Sequence, residues 1–314
     1  MCLVRARAGD RIPPTPRELA DGLRREGRTA AWVAGPAGAP AGVASLERIE
    51  SYDEPGGMWM EVWVVPHLRG TGAGRALWTA LVAGARERGV GRLRTAIDGD
   101  DAPTARFLVR RGFAEVHRDQ RVRLVLTSPP PAPYPPAGIR LAGLDREPGL
   151  VTAIPLIEAD TLGDVPGDAP LTVAGVDEWR EALAGPRYAP ALTVVALDGS
   201  APAGYASLRL VPARPSFACH EYTAVRPPWR GRGLATALKR ELLRRAWWAG
   251  IRELEAQNAL GNAPMRAVNA RLGYTRLADR VGMVRDRPGA SGPDGAGDAD
   301  HQPVARPGDA AAQP

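Results

Sequence analysis

Two short stretches of this 314-residue chain carry residue types whose spacing does chemistry: Arg69-Gly70-Thr71-Gly72-Ala73-Gly74 and Arg230-Gly231-Arg232-Gly233-Leu234-Ala235. Glycine lets the backbone take positive φ and approach a ligand closely. Where such a loop joins a strand to a helix, successive N–H groups converge on one point and the helix dipole adds positive potential. That environment suits a pyrophosphate, and Arg69 and Arg230 add charge beside it. No Gly-Lys-Ser/Thr follows either loop, which excludes a Walker loop. Each loop follows a β-meander rather than opening a βαβ unit, which argues against a dinucleotide-binding fold. One such loop is compatible with a ligand-free turn. Two in one register argue for a shared purpose.

The elements that must position the loops also repeat. Val64 to Leu77 aligns with Val225 to Leu238 without gaps. Strand-like runs precede each loop, Ala30–Ala34 and Ala41–Arg48 in the first copy and Ala191–Leu197 and Ala203–Val211 in the second. After each loop comes a helical apolar spacing that ends near Gly89 or Gly250. A strand follows, then a short helix ending in Arg110-Arg111-Gly112-Phe113 or Arg271-Leu272-Gly273-Tyr274. A last strand pair is expected to close each body. A helical insert, Leu150 to Leu183, enlarges the second copy, where the first has only about Pro16–Glu26. The proline-rich stretch Ser128–Gly138 reads as a stiff linker, and 287–314 as a disordered tail. The expected bodies are therefore 1–127 and 139–286.

Composition narrows the class. Hydrophobic residues make up 44%, enough for real cores, and the formal charge of +6 is mild. Such a charge favours an anionic ligand without calling for nucleic acid. The chain has a single lysine, Lys239, so its basic charge is almost all arginine. Cys2 and Cys219 are too far apart for a disulfide framework, and His67, His117, His220 and His301 form no metal-ligand spacing. The first ten residues are charged, with no signal-peptide core, and no apolar run approaches the roughly 20 residues of a membrane helix. A cytoplasmic protein is expected, without metal or membrane partner.

Both bodies resemble GCN5-related N-acetyltransferase domains, on the two Arg-Gly loops and the downstream Gly-aromatic ends. Asn258 to Tyr274 is also similar to a bacterial subgroup with many tandem members. The resemblance implies an α/β fold of the α+β sandwich type. It implies two tandem domains, each a mixed, mostly antiparallel sheet with flanking helices. It further implies acetyl-CoA as acyl donor in a V-shaped gap between the family's fourth and fifth strands, with direct transfer to an amine. The residues it assigns to the donor are Val64, Arg69, Gly70, Thr71, Gly72, Ala73 and Gly74 in the first body. In the second they are Val225, Arg230, Gly231, Arg232, Gly233, Leu234, Ala235 and Asn262. Asp101 stands at the Asn262 position of the first body. The family's usual thiolate-protonating tyrosine is replaced by Leu108 and Asn269.

Amine attack on a thioester needs a base, an oxyanion donor and an acid. With strict strand alternation, Cys219, Glu221, Thr223 and Val225 share one face, and His220, Tyr222, Ala224 and Arg226 the other. Glu221 then shares the face of Val225, while its counterpart Met60 cannot take a proton. A bulge would reverse the parity and favour His220 or Glu61. Glu221 is the candidate base, set against a strand carboxylate paired with arginine, and His220 is the alternative base; water or another tyrosine such as Tyr222 substitutes for the missing acid. Cys219 reads as a small buried hydrophobe, and Trp59, Trp63, Trp247 and Trp248 as packing. The expected activity is acetylation of a small-molecule amine by the second body, with the first binding CoA weakly or serving as a structural partner. Acetylation of proteins, or CoA sensing without turnover, are the alternatives. The chain is expected as a monomer with paired domains, or as a homodimer.

Overall fold

The computed structural model describes residues 29–36, 38–48, 56–166 and 171–286, together with Ala20. The expected disordered tail, Cys2, His301 and nearly all of the short helical stretch Pro16–Glu26 lie outside these residues.

The first half contains β1 (Thr29–Ala34), β2 (Gly42–Glu47), β3 (Gly57–Val64), α1 (Ala73–Glu87), β4 (Arg92–Asp98), α2 (Ala102–Val109) and the long β5 (Ala114–Val125). The second contains β6 (Ile139–Gly143), α3 (Ala153–Ala159), α4 (Val176–Ala184), β7 (Thr193–Asp198), β8 (Ala201–Leu210) and β9 (Phe217–Val225). It continues with α5 (Leu234–Trp248), β10 (Glu253–Ala259), α6 (Ala263–Arg271), β11 (Thr275–Arg276) and β12 (Arg280–Asp286). Residues 127–138 between the halves carry neither helix nor strand, and Tyr134 there is exposed.

Helix α5 shows why these residues fold as they do. Leu234, Leu238, Leu242 and Ala246 recur every four residues and form a buried stripe against the sheet. Period-two alternation supplies the matching face in the strands: Val194 and Ala196 of β7, Ala206 and Leu208 of β8, and Ala218 of β9 all face α5. The opposite face of the same strands presents Val195, Leu197, Tyr205 and Ala224 to α3 and α4, with Ile154, Ile157 and Trp179. In the first half Met58, Met60, Leu93 and Ile97 pack against Leu77, Trp78 and Leu81 of α1.

The strands join in one sheet, ordered β1-β2-β3-β4-β12-β5-β10-β9-β8-β7-β6, with β11 on β5. The bodies do not each close on themselves as expected. Strand β12 leaves the second half and lies between β4 and β5. Strand β5 is long enough to serve twice: Ala114–Asp119 pairs with β12, and Asp119–Val125 pairs with β10 of the second half. The cores follow the strands. Val281 and Met283 of β12 are buried in the first core, while Val122 and Leu126 are buried in the second. Alternation cannot reveal this, because an apolar strand face reads the same whichever helix covers it. Trp248, expected in packing, is 72% exposed at the end of α5.

Candidate active site

In the second half, β9 and β10 run parallel and pair only through Phe217–Glu253, Ala218–Leu254 and Cys219–Glu255. Beyond Cys219 they separate, and residues 220–225 of β9 have β8 on one edge and, among the described residues, no paired strand on the other. Strand backbone always carries donors and acceptors along both edges, so the gap edge offers them to a ligand. The same divergence occurs after Trp59–Arg94 between β3 and β4.

Each gap leads to its glycine loop. Gly231 and Gly233 take φ of +73° and +84°, and Gly70 and Gly72 take +82° and +93°, with empty space where a Cβ would stand. Gly233 and Gly72 are the N-caps of α5 and α1, and no side chain caps either helix. The first-turn N–H groups of both helices are thus left for an external acceptor. This cradle fits the pyrophosphate of a CoA thioester. Leu234 is buried, whereas Ala235, Ala73 and Gly74 are half-buried and Arg232 and Thr71 exposed. Thr71 donates its hydroxyl to Leu68 O at 2.8 Å. Arg230 donates to Val225 O at 2.9 Å, and Arg69 makes the matching contact to Val64 O at 3.4 Å. Arg230 also pairs at 2.5 Å with Asp164, which follows α3, and Arg226 pairs at 2.6 Å with Asp160. Asn262 and Asp101 play one role: each caps its short helix, accepting from Met265 N at 3.2 Å or Thr104 N at 3.1 Å.

The strands that border the two gaps differ in ladder register. The β8–β9 ladder shifts so that Ser207 faces Tyr222 while Leu208 faces His220, leaving Glu221 as an extra, bulged residue. The β2–β3 ladder has no shift. The bulge overturns the alternation expected for β9. Tyr222 and Ala224 pack toward α3 and α4, whereas Val225 packs toward α5. Glu221 therefore does not share the face of Val225. It lies on the α3–α4 side, paired with Arg209 of β8 at 2.7 Å and hydrogen-bonded with Tyr188. Burial, and then the Glu221 charge, pushes the Tyr188 phenol up, so it stays a protonated donor to the carboxylate. Tyr222 donates to Thr161 Oγ1 at 3.3 Å, and burial raises its phenol as well. His220 moves to the α5 side, with Nε2 at 2.5 Å from the Tyr274 hydroxyl. Burial, and secondly Lys239, hold it well below the usual histidine range, so it is neutral. In β3 Glu61 stays opposite Val64 and accepts from Trp63 Nε1 at 3.3 Å.

The positions of the missing tyrosine are closed. Leu108 is buried in the first core, and Asn269 donates to Asn258 Oδ1 at 2.6 Å. Cys219 is buried beside Val211 and Phe217, as expected of a small hydrophobe. Arg209, Tyr188, Asp160 and Asp164 were not legible from motifs, because strand register and the fold of the insert bring them in. Among the described residues, no cluster of three or more His, Cys, Asp or Glu side chains could hold a metal ion. Nor is any helix among them long and apolar enough to cross a membrane.

Splayed parallel strands, each ending in a glycine cradle at an uncapped helix, define a tandem acyltransferase fold. The Acetyltransferase (GNAT) family model matches residues 5–113 and 164–274, more than half of the chain. The chain belongs to that family and is an N-acetyltransferase of tandem architecture. It is 28% identical over 305 residues to a mycothiol acetyltransferase of Catenulispora acidiphila, covering 88% of this chain and 90% of that protein. The fold is shared with a tandem GNAT protein from the clavulanic acid biosynthesis pathway, with a TM-score of 0.70 at 24% identity over 92% and 93% of the two chains. It is also shared with a GCN5-related N-acetyltransferase from Sphaerobacter thermophilus, with a TM-score of 0.69 at 22% identity over 91% and 90%.

Proposed function

We propose that the second half is the working site, transferring an acetyl group from acetyl-CoA to a primary amine of a small molecule in a ternary complex. The observation that carries this reading is the bulge at Glu221, which the first half lacks. The glycine cradle of Arg230–Ala235 and the first turn of α5 would hold the pyrophosphate. When bound, the donor supplies an activated acetyl group as a thioester. The gap edge of β9 offers backbone donors for the developing oxyanion around the bulge and Val225.

The bulge turns Glu221 away from the face of Val225 and toward α3 and α4, and we take that face as the acceptor's side. There Glu221 accepts the proton that the attacking amine must lose, directly or through water. Arg209 and Tyr188 fix its carboxylate in place. Tyr222 and Thr161 line the same side. Support for an amine acceptor comes from this carboxylate and from the likeness to a mycothiol acetyltransferase. The first half keeps a cradle but presents Met60 and an unbulged strand, so it binds CoA without turnover or serves as a structural partner. A scaffold without turnover would need no bulge.

The test is thiol release with acetyl-CoA and a panel of amines, including aminoglycosides, polyamines, amino acids and cysteinyl glycosides. Turnover is expected on at least one small amine. Glu221→Gln should lower kcat about 10²- to 10⁴-fold at neutral pH and leave CoA binding unchanged. Unchanged turnover in that variant removes the base assignment; CoA binding with no turnover on any amine favours sensing.

A further inference from the structure

Beneath the point where β9 and β10 part, three ionisable side chains meet on the α5 face. His220 is the first residue of β9 past its last pair with β10. Tyr274, just past α6, bonds to His220, with ring centroids 5.8 Å apart. Lys239 comes from α5, with Nζ 5.5 Å from the Tyr274 ring. Lys239 is only 2% exposed, and no hydrogen bond or ion pair reaches it among the described residues. The His220 Nδ1 is likewise buried without a partner.

The first half shows that the fold does not require this chemistry. In the register of the two loops Lys239 falls opposite Trp78 and Tyr274 opposite Phe113. By ladder position His220 corresponds to Met60, since Leu208 faces one as Leu46 faces the other. Met60, Trp78 and Phe113 are buried together in an ordinary apolar core. A buried, unpaired ammonium is costly, and such exceptions concentrate at functional sites. The second half also lacks the tyrosine that usually protonates the departing thiolate, and its replacement Asn269 is engaged with Asn258.

We propose that Lys239, set by His220 and Tyr274, is the proton donor to the departing thiolate in the second half, replacing the missing tyrosine. This rests on the acetyltransferase reading above. The amine nitrogen forms its bond to the carbonyl carbon and the carbon–sulfur bond breaks. The amine proton goes to Glu221, and the Lys239 ammonium gives a proton to sulfur; both groups then re-equilibrate with solvent. The groups facing Lys239 are His220 from β9 and Tyr274 after α6. Burial alone brings the lysine down to about 7, and Tyr274, pushed up by burial, remains a neutral phenol. An acid of this kind is charged below that value, so kcat should fall as pH rises through it.

The single lysine makes the test direct. With [13Cε]lysine, the ligand-free protein should show one lysine resonance titrating near 7, rather than near about 10.4 as in an unperturbed lysine. Lys239→Met should raise Tm, because it removes a buried charge. It should also lower kcat about 10²- to 10⁴-fold with CoA affinity unchanged, and remove the alkaline fall near neutral pH. An acetyl thioester of p-nitrothiophenol, whose thiolate leaves without a proton, should narrow the gap between variant and wild type. If the methionine variant does not fold, Lys239→Arg serves, since a guanidinium cannot give up its proton at neutral pH. A lysine titrating normally, or a variant as active as wild type with the same pH profile, overturns this inference alone. A wild type that acetylates no amine overturns it together with the acetyltransferase reading.

Discussion

Replacing Met283 by alanine asks whether the last strand of the chain holds the first core together. Met283 is 4% exposed and packs in one cluster with Met60, Trp78, Leu93 and Phe113, from the far end of the sequence. Truncation to alanine removes the thioether and terminal methyl and leaves a cavity among side chains that relax only in part. Such changes cost about 2–5 kcal/mol. At one factor of ten per about 1.4 kcal/mol, that is a roughly 30-fold to several-thousand-fold rise in the opening equilibrium. The assay is hydrogen exchange by mass spectrometry, read peptide by peptide. Peptides from α1 (Ala73–Glu87) and β4 (Arg92–Asp98) should exchange faster by that factor. Faster exchange confined to α5 and β10, with α1 and β4 unchanged, would show that β12 belongs to its own half and would refute the strand exchange.

Two further perturbations address the cradle and a buried acid. Gly233→Ala forces an L-residue to φ near +84° with no clash, a strain of about 1–2 kcal/mol. CoA affinity by calorimetry should weaken about 5- to 30-fold and turnover should suffer, whereas Gly72→Ala should spare turnover. Glu158, 6% exposed and bonded to the Tyr205 hydroxyl at 2.5 Å, has its carboxyl raised from the ordinary glutamate value by burial. The native state therefore holds its proton more tightly than the unfolded chain. The stability it contributes is complete below the unfolded value of about 4.3 and is lost as pH rises through the native one. Glu158→Gln should flatten that decline in denaturant titrations at pH values above the unfolded one.

Local pattern was enough to find the two loops, their helices and the family. Arg-Gly spacing, the αL glycines and the apolar stripe of α5 are readable within a dozen residues. It was also enough to show that Leu108 and Asn269 cannot act as acids. The faces of β9, by contrast, depend on tertiary pairing. A strand alternates with period two, so one bulged residue at Glu221 reverses every side chain beyond it, and that bulge is set by pairing with β8. The exchange of β5 and β12 is equally invisible in the chain, because strand partners are chosen by long-range burial rather than by local pattern. Lys239 stands between these cases. Its singularity, and its register with Trp78, are plain in the sequence. Its meeting with His220 and Tyr274 beneath the gap exists only once α5, α6 and the bulged strand are packed together.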